Sequence, residues 1–169
     1  MTLKDISFLL IAGFTIVSAL GVVTFKNIVH SALSLVLTFL GVAGIYFQLN
    51  AGFVGVVQIL VYAGAISVLI IFAIMLVMDT EVNKTNLPNP SLGTSLLGGY
   101  IILLLTVTLG ASIWFSSFPI SAQLAPKDDV GFLANLMLGK YVVPFEIAAV
   151  LLLVAVVGAI ILAKGAEDK

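Results

Sequence analysis

The sequence has no cysteine, no arginine, a single histidine and very little charge of either sign. Without cysteine there is no disulfide, and no thiolate to ligate an iron–sulfur cluster. With His30 alone, bis-histidine haem ligation and a two-histidine metal site are excluded within this chain. The basic residues are seven lysines and the formal net charge is −1, which argues against a nucleic-acid or anionic-surface role. Charged residues make up 9% of the chain against 62% hydrophobic, and the mean hydropathy is +1.28. So few charges cannot solvate the surface of a soluble domain. If the protein works in a redox assembly, the electrons travel on other chains.

What fills the chain is apolar. Two uncharged runs, Ser31 to Met78 and Thr85 to Pro126, are each too long for a buried helix of a soluble domain. The expected fold is an all-α membrane protein with five transmembrane helices in one membrane domain over residues 1–169. The spans are read as Ile6 to Phe25, Ser31 to Leu49, Val54 to Met78, Thr94 to Ser116 and Val142 to Ala163. Lys4 before the first apolar run imitates a signal peptide, but no small-x-small cleavage site follows, so a retained helix is expected. Gly41 and Gly44 sit one turn apart on the second span, where a neighbouring backbone can approach closely. Asn50 to Phe53 reads as a tight turn, and Asn83 to Gly93, with Pro88 and Pro90, as an exposed loop. The fourth span carries only small hydroxyls and Tyr100, with Trp114 as an interfacial anchor. Between it and the last span, residues 117–141 form a loop. Val130 to Gly139 within it is apolar but too short to span, and is expected along the membrane surface or against a partner.

Orientation follows from the lysines. With the N-terminus outside, Lys26, Lys84, Lys164 and Lys169 face in, and Lys4, Lys127 and Lys140 face out. A margin of one lysine favours this choice, with the C-terminus cytoplasmic.

The third span is not simply greasy. Gly55, Gln58, Tyr62 and Ala65 follow helical spacing and form a small, partly polar stripe among branched aliphatics. Polar groups inside a membrane are costly, so each needs a partner or a purpose. The candidates are Gln58, Tyr62, Ser67 and Glu146. Gln58 and Tyr62, four residues apart, either border a hydrated path or movable contact, or hydrogen-bond a neighbouring helix and glue the bundle. Neither is a proton-relay base on its own. Gly64, followed by Ala65, serves either close packing or a change of helical winding such as a π-bulge. Glu146 follows Pro144 and Phe145. Proline at the first helical position would put this acid in the first turn, favoured by the helix dipole by roughly 0.3–1 kcal/mol. The alternative is a partner-facing acid or the entrance to a proton path. No nucleophile–base pair, phosphate loop or metal-ligand spacing occurs, so no self-contained active site is expected.

The run Val57-Gln58-Ile59-Leu60-Val61-Tyr62-Ala63-Gly64-Ala65-Ile66, continuing through Val68-Leu69 to Met75, resembles the third transmembrane helix of a known family. The family is subunit J of bacterial NADH:quinone oxidoreductase, whose mitochondrial counterpart is subunit 6 of complex I. Asn27 to Leu37 resembles its second helix, and Pro144-Phe145-Glu146 with the aliphatic run after it resembles its last. Two departures stand out: Ile28 replaces a frequent proline, and Gln58 stands where some members carry glutamate. The resemblance implies a core subunit that couples quinone reduction to proton translocation. Its partners would be the quinone-site subunit, the small three-helix subunit and antiporter-like subunits in a bacterial inner membrane. It implies no cofactor in this chain; quinone, with NADH or another donor, flavin and iron–sulfur clusters, would sit in partner subunits. It further implies a π-bulge around Tyr62 to Gly64 whose conversion to α-helix opens or closes a water wire. Gln58, Tyr62, Gly64, Ala65, Ser67 and Glu146 are then the candidate proton-path and switch residues. The competing expectations are a related subunit of a cation/proton antiporter or membrane-bound hydrogenase, and a small independent carrier. The carrier is disfavoured by the scarcity of intramembrane polar groups and the lack of an inverted repeat.

Overall fold

The structure is a computed structural model that describes residues 3–77, 92–117 and 128–164. The helices are α1 (Leu3–Thr24), α2 (Ile28–Gln48), α3 (Gly52–Val77), α4 (Leu92–Phe115), α5 (Asp129–Leu138) and α6 (Val142–Lys164). All but α5 are long and apolar enough to cross a membrane, which gives the expected five spans. They divide into two compact units, α1–α4 and α5–α6. Residues 78–91, 118–127 and the tail beyond Lys164 lie outside the described residues, and with them most of the expected Asn83 to Gly93 loop, whose last two residues, Leu92 and Gly93, are helical. Lys84, Lys127 and Lys169 therefore lie outside them too.

Helix ends extend beyond the apolar runs for electrostatic reasons. Helix α1 starts three residues before Ile6 and gains Asp5 in its first turn. Helix α6 continues to Lys164, a cation in the last turn. Both charges complement the helix dipole. Helix α2 starts at a capped end: the Asn27 Oδ1 accepts from the Val29 N–H at 2.9 Å.

Helices α1 and α2 run antiparallel along a seam of small residues. At one end the Gln48 Nε2 donates to the Ser7 Oγ at 2.7 Å, and Ser7 donates on to the Lys4 carbonyl at 2.9 Å. Gly44 then faces Ile11, Gly41 faces Thr15, and Gly21 faces Ser34. A Cβ on Gly41 would lie 3.2 Å from the Thr15 Cα, so the two backbones touch where glycine permits it. The buried Ser34 Oγ donates to the Ser18 carbonyl at 2.7 Å. Bonds of this kind between membrane helices contribute about 0.6 kcal/mol each.

Helix α2 is the common neighbour in the first unit. It packs on α1 along one side and on the whole length of α3 along another. The connection turns at Asn50, with φ 56°, a left-handed conformation asparagine tolerates better than most residues. Beyond the turn, the Phe47 ring covers Gly55, with ring carbons 3.0 Å from where a Cβ would be. Helix α4 is exposed along its described side chains apart from partly covered Gly98 and Ala111, and Trp114 near its end is 85% exposed. In the second unit α5 forms over the apolar stretch 130–138. Its cap is Asp128, whose Oδ1 accepts from the Gly131 N–H at 2.9 Å, and it packs on α6.

Candidate functional site

Helix α3 changes winding twice. Gly52–Val57 is α-helical, Gln58–Ile66 is a π-helix of nine residues, and Ser67–Val77 is α-helical again. A π-helix bonds each N–H to the carbonyl five residues back and so carries one residue more than an α-helix of the same rise.

Two residues make this winding possible. Gly64 meets the Ile59 carbonyl oxygen, five residues earlier, 3.3 Å from where its Cβ would be. That is tighter than side chains normally accept, so an i to i+5 approach favours glycine here. Ser67 closes the segment: its backbone N–H is shared between the Gly64 and Tyr62 carbonyls, and its Oγ donates to the Tyr62 oxygen at 2.8 Å. Several other helical hydroxyls reach back four residues, as Thr15 does to Ile11, Thr38 to Ser34 and Ser112 to Thr108.

The extra residue rotates everything after it, and the expected stripe is corrected accordingly. Gly55 and Gln58 are buried, Gln58 to 8% exposure, as the straight pattern requires. Tyr62 is instead 45% exposed and Ala65 is exposed. The inward place passes to Ser67, at 2% exposure. Partly covered positions follow at 70, 71 and 74, later than the positions at about 69 and 72 that an uninterrupted 3.6-residue repeat from Gln58 would give.

Gln58 and Tyr62 have different surroundings. The two share no hydrogen bond; the Tyr62 ring packs edge-on against Phe39 of α2, with centroids 5.6 Å apart at 64°. Phe39 and Phe47 were not among the sequence candidates. Their only sequence signal is that they are aromatics on the helix next to the glycine-bearing span.

Glu146 lies on α6, in the second unit, and is exposed. It is not in the first turn: α6 starts at Val142, which makes Pro144 its third residue and Glu146 its fifth. The first backbone bond of α6 runs from the Phe145 N–H to the Tyr141 carbonyl at 3.1 Å, so proline at any of the first three positions loses no bond. The dipole's effect fades beyond the first turn, so it no longer accounts for Glu146. His30 is exposed in the first turn of α2, beside Phe25, with ring centroids 6.3 Å apart.

Residues 18–162 match the family described as NADH-ubiquinone/plastoquinone oxidoreductase chain 6. The chain is 42% identical over 164 residues to the NAD(P)H-quinone oxidoreductase chain 6 of Synechocystis sp., covering 94% of this chain and 80% of that protein. It is 35% identical over 162 residues to the chloroplastic NAD(P)H-quinone oxidoreductase subunit 6 of Mesostigma viride, covering 96% and 85%. It is 35% identical over 167 residues to the F(420)H(2) dehydrogenase subunit J of Methanosarcina mazei, covering 99% and 94%. Five apolar spans and a π-wound third helix, together with these likenesses, make the chain a member of the NADH-ubiquinone/plastoquinone oxidoreductase chain 6 family and a multi-pass membrane subunit of a complex I-like oxidoreductase.

Proposed function

We propose that the chain is a core subunit of a proton-translocating NADH:quinone oxidoreductase, and that α3 couples quinone reduction to proton transfer by exchanging its π winding for an α winding. The observation that carries this reading is the π segment Gln58–Ile66 within the third span, Gly52–Val77. Rewinding it removes one residue's worth of rotation, about 100° at 3.6 residues per turn, from all that follows. The stripe Gln58, Tyr62, Ala65 would then face inward in place of Gln58 and Ser67. A tyrosine hydroxyl would thereby enter or leave the protein interior, where it can order water. The donor, flavin, iron–sulfur clusters and quinone belong to partner subunits. That relatives of this chain carry the names of NAD(P)H- and F(420)H(2)-oxidising enzymes agrees with a donor handled elsewhere. The partners are the quinone-site, three-helix and antiporter-like subunits. The membrane is a bacterial inner membrane, with the N-terminus outside and Glu146 on the path or at a partner contact.

Gly64→Val tests the proposal. Its Cβ crowds the Ile59 carbonyl in the π winding, and its branching stiffens χ1. In the assembled complex reconstituted into vesicles, protons moved per electron should fall at least about twofold while quinone reduction continues. A normal ratio in the assembled variant would overturn the two-winding mechanism.

A further inference from the structure

We propose that Ser67 is the residue that holds α3 in its π winding, with its side-chain hydroxyl clasping the Tyr62 carbonyl alongside its own backbone N–H. This makes Ser67 a positioning residue and rests on the reading of α3 as a coupling element only for its functional consequence. Three observations meet at this side chain. Its hydroxyl reaches five residues back along its own helix, where the other described hydroxyls that bond within their own helix reach back three or four. It is the first residue of the α-helical segment, so its bond closes the last π turn. It is also the most buried polar residue described, at 2% exposure, so no solvent competes for the hydroxyl.

The ladder explains why the junction needs a clasp. The Ser67 N–H is shared between the Tyr62 and Gly64 carbonyls as the winding returns to α, and a π turn passes over one carbonyl where it rejoins an α-helix. A π turn therefore ends with one backbone bond fewer than the α-helix it replaces, a loss that matters most in a membrane. The second donor on the Tyr62 carbonyl offsets part of that loss. In an α winding the same hydroxyl would back-bond to Ala63, four residues away, an arrangement that slightly destabilises and bends α-helices. The hydroxyl thus favours π on both counts.

The test is the winding of residues 58–67 in the resting, fully assembled complex, read from its cryo-electron-microscopy map. Ser67→Ala should lower the ratio of π-wound to α-wound complexes roughly two- to tenfold, the range set by one net hydrogen bond. Ser67→Thr, which keeps the hydroxyl, should retain the π winding. A pure packing role would leave the winding of Ser67→Ala unchanged, and that result overturns the proposal. Should Ser67→Ala fail to assemble, the near-isosteric Ser67→Cys, whose thiol donates weakly, is read the same way, and full π winding in it likewise overturns the proposal. The proton-to-electron ratio separates the two ideas. A lost π winding with normal coupling supports the clasp and defeats the coupling role of α3; a kept π winding defeats the clasp alone.

Discussion

The α1–α2 pair and α3 use the same residue types to opposite ends. In the pair, glycines and hydroxyls look outward to a neighbouring helix: Gly41 to Thr15, Gly44 to Ile11, Ser34 to the Ser18 carbonyl. In α3, Gly64 and Ser67 look back along their own helix, to Ile59 and Tyr62. The first use ties two helices into one register. The second admits an extra residue into a turn of a single helix. Small and polar residues in a membrane span are therefore of two kinds, and what separates them is the atom each one faces.

Breaking the seam should have the largest effect. Gly41→Val pushes a branched side chain into Thr15 at the point where the backbones touch. Overpacking costs about 1–3 kcal/mol, and the subunit should largely disappear from membranes on immunoblotting of the assembled complex. Gly64→Val should do the reverse, leaving assembly near normal and lowering coupling as described above. If both glycines simply lost assembly, the contrast would collapse.

Tyr62→Phe sharpens the comparison within α3. The ring contact with Phe39 is kept and only the hydroxyl goes. A modest loss of pumping, up to about twofold, with intact assembly is the expected outcome of vesicle assays; an unchanged rate would assign Tyr62 to packing. Ser7→Ala should matter least. It removes the acceptor of the Gln48 amide at the end of the seam and should lower thermal stability of the complex by about 0.5–1 kcal/mol, with the proton-to-electron ratio untouched.

Much of this architecture was legible beforehand. Uncharged runs of membrane-crossing length predict the five spans, and Gly41 and Gly44 predict a close neighbour. Asn50 to Phe53 predicts the turn, and residues 130–139 a short non-spanning element, because hydropathy and backbone preference are local. The inward face of α3 was legible only as far as Gln58. A 3.6-residue repeat presupposes one winding throughout, so it carried the stripe on to Tyr62 and Ala65 and missed Ser67. Gly64 marked the place of the irregularity, while the hydroxyl that closes it stands three residues further on, at a spacing no α-helical template looks for. Glu146 was misplaced for a related reason: proline is tolerated at several early positions, so Pro144 bounds the start of α6 without locating it.

The Phe47 ring lying over Gly55 gives any motion in α3 a direction. The head of the helix packs against α2 beside the Asn50 corner, and the Phe47 ring stands in the way of turning there. If α3 rewinds as proposed, a change of pitch downstream of Gln58 is delivered to the other half, swinging Ser67–Val77 as a key turns its bit while the bow is held. Sensing and response would then lie at opposite ends of a single helix.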